Sequence, residues 1–139
     1  MTIHYRKDSP NGITPPNPDS IRDIVSHITK HRGMKTAYTS VSEDQNAIKH
    51  ISGQLYKTDS SEIILDNHKF ITHPELTEAL KGVIQSSQKA DKVIASRAFQ
   101  FAVRAKEALI DWQFDLSKTD RKERISWCYE HIQKYFSRI

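Results

Sequence analysis

The chain is short of the residues that most often announce chemistry. A single cysteine, Cys128, stands among 139 residues. That count excludes an intramolecular disulfide and any cysteine-rich metal cluster. Only 4 glycines occur, none in a G-x-G or G-K-S/T setting, so the glycine-rich loops that cradle phosphates are not encoded. The mean hydropathy is −0.65, and no apolar run approaches the roughly 18 residues of a membrane helix. The opening MTIHYRKDSPNG has basic residues but no apolar stretch, which argues against a secretory signal. These absences predict a cytoplasmic, intracellular protein with no membrane partner and no cofactor.

Acids are in deficit. Seventeen Asp and Glu face 21 Lys and Arg, for a net charge of +4. The balance leans toward acidic partners, nucleic acid among them. The remaining composition, 37% hydrophobic and 27% charged, is that of a soluble globular protein of one domain.

Four of the five prolines fall in residues 10–18. Pro15-Pro16 favours polyproline II, so residues 1–19 read as an extended arm and residues 20–139 as a single helical domain. Ser20 and Asp23 open a first helix whose stripe is Ile21, Ile24, Val25 and Ile28, with Gly33 as its stop. Ser42 and Gln45 suggest a second start, and Thr72 with Glu75 a third, carrying Leu76, Ala79, Leu80, Val83 and Ile84. Asp66-Asn67-His68, flanked by Ile63–Leu65 and Lys69–Ile71, predicts a small β-hairpin near residues 62–72. Residues 89–114 read as a long central helix. Ile94, Ala98, Phe101, Ala105, Ala108 and Trp112 form a heptad-like seam on it, and Phe99, Val103, Ile110 and Phe114 a second stripe. Asp120 and Glu123 start a last helix, with Ile125, Cys128, Tyr129, Ile132, Phe136 and Ile139 toward the core. The expected fold class is all-α, a bundle of about five helices around the 89–114 helix.

Candidate chemistry is sparse. His27 and His31 stand at i, i+4 in HITKH and can point at one metal, but the glutamate of H-E-x-x-H is missing. Arg124 and His131 stand seven apart in RISWCYEH, on one helical face. This stretch resembles the R-x4–6-H motif of HEPN ribonucleases, small helical domains that pair two such motifs across a dimer. That resemblance implies RNA cleavage by Arg124 and His131. It covers eight residues and departs at Ile125, where the family often has a polar residue. A longer stripe uses more of the helix: Arg124, Trp127, His131, Lys134 and Arg138, in steps of three and four. A tryptophan among cations suits base stacking with phosphate contacts, and equally suits a protein interface. The leading expectation is a non-enzymatic binding or assembly subunit acting through helix surfaces and the arm, with a protein partner or self-association. Single-stranded nucleic-acid binding through the stripe is the alternative, and a HEPN-like ribonuclease the third.

Overall fold

A computed structural model describes residues 1–17, 20, 23–29, 36–113 and 120–139, with Ala90 described by its backbone alone. Its strands are β1 (Ile3–Asp8), β2 (Tyr38–Ser42), β3 (Gln54–Asp59), β4 (Lys69–Ile71), β5 (Glu107–Asp111) and β6 (Phe136–Arg138). Its helices are α1 (Ile24–Thr29), α2 (Ser60–Leu65), α3 (His73–Ser86), α4 (Lys89–Ala105) and α5 (Arg121–Ile132), with 3-10 turns at Gln45–Ile48 and Gln133–Tyr135. The strands form one antiparallel sheet in the order β4-β5-β2-β1-β3-β6. The protein is therefore mixed α/β, and the expected all-α helical bundle is corrected.

Several local misreadings contribute to the difference. The helix expected from Ser42 is instead the end of β2 and a 3-10 turn before β3, and the last helix stops at Ile132, with Phe136–Arg138 a strand. The long helix ends at Ala105. Lys106 adopts a left-handed conformation (φ 48°) and returns its N–H to the carbonyls of Ala102 and Val103, so the chain reverses into β5. Along β5, Leu109 faces Leu76, Leu80, Ala98 and Ala102, while Ala108 and Ile110 face Val41, Ile63 and Cys128. A strand covered on both faces is apolar at every position, and periodicity cannot separate it from a buried helix. Phe114 lies outside the described residues. The predicted hairpin near residues 62–72 does not form. Lys69–Ile71 is a strand, but it pairs with β5, and residues 60–65 are helical, capped by the Asp59 carboxylate on the Ser61 N–H. The predicted arm begins as β1, a strand paired on both sides.

The segment after β1 opens with a turn closed by the Gly12 N–H on the Ser9 carbonyl, and its own domain holds it. Ile13 is 1% exposed in the core. Its N–H donates to Gln133 Oε1 and its carbonyl accepts from Gln133 Nε2, both at 2.8 Å. The Tyr56 hydroxyl donates to the Ser9 carbonyl at 2.5 Å.

The helices cover both faces of the sheet. Ile28 of α1, Leu76 and Leu80 of α3 and Ala98 and Ala102 of α4 pack on Tyr38 and Leu109. Ile63 of α2 and Cys128 and Ile132 of α5 pack on Val41, Tyr56, Ala108, Ile110 and Phe136. α4 meets the core through Ala95, Ala98 and Ala102, at 0–1% exposure, whereas Ile94 and Phe101 of the expected seam are 47% and 43% exposed. In α5 the inward face is likewise rotated from expectation: Cys128 and Ile132 are buried, but Ile125 and Tyr129 are exposed.

α3 starts where its capping box predicts, with Thr72 and Glu75 bonding reciprocally. Within it, Gly82 is exposed and a Cβ there would meet nothing within 4 Å. Gly82→Ala is expected to stabilise the domain by about 0.5–1 kcal/mol, by limiting the unfolded chain. Urea denaturation checks it, and a loss of stability would contradict it.

Candidate active site

The sheet is continuous in order but not in pairing. β1 pairs with β3 through six residue pairs, and β2 with β5 through five. Between β1 and β2 a single pair, Tyr5 with Ser42, joins the two halves. Where the strands part, a cleft of about 110 Å3 opens, lined by Tyr5, Arg6, Lys7, Ser40, Val41, Ser42, Ile48, Ile51, Ala105 and Glu107. Separating strands expose backbone groups and side chains that a closed ladder would cover.

Three strands bring the polar groups together. Tyr5 is paired with Ser42 and Ser42 with Glu107, so these three form one row across β1, β2 and β5. Directly opposed residues of an antiparallel ladder lie about 5 Å apart on the same face. Glu107 is half-buried at the start of β5. Its carbonyl accepts from His73 Nδ1 at 2.8 Å, and the neighbouring Lys106 carbonyl accepts from the Glu43 N–H. The Ser42 hydroxyl is 2.5 Å from the Ala105 carbonyl and 2.9 Å from that of Asp44. It fastens the end of α4 to β2 and thereby fixes the approach to Glu107.

Arg6 is held as a fixed fork. Its Nε donates to Asp8 Oδ2 at 2.8 Å and its Nη1 to the Ser40 carbonyl at 2.7 Å. A guanidinium has five donors, so the remainder stay available at the cleft for an anion. Asp8 is itself pinned by the Ser9 N–H and by the Thr14 N–H and hydroxyl. Burial pushes the Asp8 carboxyl up, but Arg6 and the bonds from Thr14 and Ser9 outweigh it and leave it below the ordinary 3.8. The carboxylate therefore stays charged opposite Arg6 at neutral pH. Ser40 closes the group from the other side, with its hydroxyl 2.5 Å from His27 Nε2.

His27 has a structural occupation. Its Nδ1 meets the Thr36 hydroxyl while Nε2 meets Ser40, so both ring nitrogens are engaged. His31, the other expected metal ligand, lies outside the described residues. No group of three or more metal-binding side chains occurs among the described residues.

The expected stripe is divided by the end of α5. Arg124, Trp127 and His131 are half-buried on the helix, Lys134 is exposed in the turn after it, and Arg138 is on β6 opposite Tyr56. The Arg138 guanidinium donates to the Pro10 carbonyl. The structure does bring Trp127 and His131 together: their rings stack at 4.3 Å and 14°, and His131 Nδ1 is 3.1 Å from the Trp127 carbonyl. Trp127 also packs against the core cluster, and its ring centroid is 6.1 Å from that of His68. The all-helical setting that the Arg124/His131 resemblance supposes is absent. The sequence singles out none of Arg6, Ser40 and Glu107, and marks Ser42 only as a helix start with Gln45. The local signal for Arg6, Ser40 and Ser42 is β-prone alternation in IHYRKD and YTSVS; Glu107 has none of this kind, at the head of EALID.

Two buried histidines predict the acid limb of stability. Burial holds His68 below the ordinary 6.5, opposed by Asp66 and assisted by His131. His68 Nδ1 accepts the Gln113 N–H at 3.0 Å, which places the proton of the neutral ring on Nε2. Burial also lowers His4, opposed by Glu43 and the Thr2 backbone. A histidine lowered in the folded state takes up its proton more readily when unfolded. Its contribution is complete above 6.5 and is lost as pH falls below it. Denaturation midpoints are expected to decline from pH 7 to 5, and His68→Gln should flatten the slope. An equal slope in that variant would exclude His68 as a source. At the alkaline end, burial and the Asp66 bond push Tyr135 up to about 12. Its stabilising share is kept below about pH 10 and lost as pH rises through about 12.

No protein-family model, curated protein or solved structure matches the chain. Among the described residues, no helix is long and apolar enough to cross a membrane.

Proposed function

We propose that the cleft between β1 and β2 binds a phosphate-bearing N-glycoside with a pyridinium leaving group, of which oxidised nicotinamide dinucleotide is the common example, and transfers its glycosyl group. The observation that carries this reading is the meeting of Arg6, Ser40, Ser42 and Glu107 at one opening of the sheet. A guanidinium fixed by a carboxylate suits phosphate. A carboxylate in a partly dry cleft suits a sugar that becomes oxocarbenium-like as its bond breaks.

The choice of leaving group rests on the residues that line the cleft. Among the described residues that line the cleft, Glu107 is the sole carboxylate and none is a histidine. An ordinary glycoside needs a second carboxyl group to protonate the departing oxygen. A pyridinium base needs none: the C1′–N bond breaks, its electron pair returns to the ring nitrogen, and the base leaves neutral. The acceptor then adds at C1′ and gives up its proton to solvent or to the Glu107 carboxylate. The cleft is smaller than the ~300–1,000 Å3 of a typical small-molecule site, which suits entry of the reacting end alone, with the phosphates at the rim beside Arg6 and Lys7.

Calorimetry with nicotinamide dinucleotide, and chromatography of released nicotinamide, test the reading. Binding and slow release are expected, with water as acceptor. Arg6→Ala should weaken binding by about 10–100-fold, the worth of a charge-assisted hydrogen bond. Neither binding nor release at millimolar dinucleotide would overturn it. A cytoplasmic setting suits the proposal, since the lone Cys128 is a buried thiol.

A second reading, a non-enzymatic binding or assembly subunit, is favoured by a different place. The half-exposed Trp127–His131 stack next to exposed Lys134 suits a protein anchor or, as the alternative, a nucleic-acid base. Titration with single-stranded oligonucleotides, and light scattering for self-association, each compared with Trp127→Ala, separate the two. Unchanged behaviour of that variant in both would dismiss the site.

A further inference from the structure

The solvent face of α4 carries a charge that the cleft does not require. Lys89, Lys92, Arg97 and Arg104 are all exposed on it, and Asp91 is the one acid in the helix. Among the described residues none of these four cations makes an ion pair; Lys106, just beyond the helix, reaches Asp44 at 3.8 Å. Apolar side chains are interleaved with them. Val93 is 58% exposed, Ile94 47%, Phe101 43% and Val103 46%. Positions 89, 93, 97, 100 and 104 run in steps of four and three, a ridge of about 22 Å at 1.5 Å per residue. Lys89, Lys92, Val93, Ser96, Arg97 and Gln100 line an open groove of about 460 Å3 along it. The opposite face, Ala95, Ala98 and Ala102, is buried, so α4 presents the ridge from a firmly seated helix.

We infer that this face docks an acidic, amphipathic segment of a partner protein. Charge complementarity selects the acid, and the interleaved aliphatic side chains select a partner with apolar groups of its own. A second copy fits poorly. An isologous pair would set the four cations of one chain against the same four of the other, in a chain already at +4. Single-stranded nucleic acid fits less well, because it is held by aromatic stacking and three of the four exposed apolar groups are aliphatic. This inference stands apart from the glycosyl-transfer reading.

Fluorescence anisotropy tests it with a labelled amphipathic peptide of about 20 residues, glutamate on one helical face and leucine on the other. Comparison probes are the same peptide with glutamine for glutamate, a single-stranded oligonucleotide, and phosphatidylserine vesicles. The acidic peptide is expected to bind, to weaken with salt, and to lose about tenfold or more in affinity with Arg97→Glu/Arg104→Glu. The glutamine peptide should bind about tenfold more weakly, and Val93→Ser/Val103→Ser should also reduce binding of the acidic one. These positions are exposed, so thermal denaturation of both variants should match the parent protein. Peptide binding unchanged by charge reversal would overturn the inference. So would oligonucleotide or vesicle binding that charge reversal abolishes while the peptide does not bind, or a dimer that the same variant dissociates. The readout is binding alone, so an inactive cleft leaves it intact.

Discussion

Glu107→Gln is expected to lower nicotinamide release by about 10²–10³-fold while leaving dinucleotide affinity within about threefold, because the lost charge acts mainly where positive charge develops. Glutamine keeps the shape of the side chain and most of its hydrogen bonding. The position is well supported without the carboxylate, since β5 is anchored there by pairing to Ser42 and by the bond from His73 to the Glu107 carbonyl. A loss in kcat with KM preserved is the signature of a group used in the transition state. Arg6→Ala should do the opposite, raising KM more than it lowers kcat. Equal turnover by Glu107→Gln and the parent would remove Glu107 from the chemistry. Asp8 offers a further control: it touches Arg6 at 2.8 Å but does not line the cleft, so Asp8→Asn should act through the placing of Arg6.

Trp112→Ala is expected to cost about 3–5 kcal/mol, the range for deleting a large aromatic from a packed interior. Trp112 is fully buried at 0% exposure. Its Nε1 donates to the Thr39 hydroxyl at 2.8 Å, tying the residue after β5 to β2. Its ring meets that of His68 edge-on at 5.0 Å and that of Tyr135 at 5.3 Å. Since whole domains are stable by only about 5–15 kcal/mol, this one truncation removes much of the margin. Trp112→Phe restores most of the apolar contact but leaves Thr39 without its indole donor, so a loss of about 1–2 kcal/mol is expected. Urea denaturation of the two variants measures both. A cost below about 1 kcal/mol for the alanine variant would mean that the cluster around His68 repacks freely.

The interactions legible in the sequence are local. Thr72 and Glu75 have the spacing of a capping box and form one. The Asp120 carboxylate accepts the Glu123 N–H at 2.9 Å at the start of α5. Both join residues three apart in sequence, which a single helical turn brings together. Element type is illegible where burial is two-sided. The run Ala108-Leu109-Ile110 has no polar face to betray its period, and the turn that precedes it uses Lys106 rather than glycine.

By itself, then, the sequence determined composition-level limits and helix starts: one cysteine, no membrane-length apolar run, a mild positive charge, and caps at Thr72 and Asp120. Tertiary structure alone decided that residues 6, 40, 42 and 107 share a cleft. Their meeting depends on strand pairing between distant segments and on the parting of β1 from β2 after a single pair. Alternation within one segment can mark a strand but does not say which distant strand it pairs with. The same holds for Trp127, whose place on α5 was legible but whose contact with the core depended on where the sheet lay beneath it.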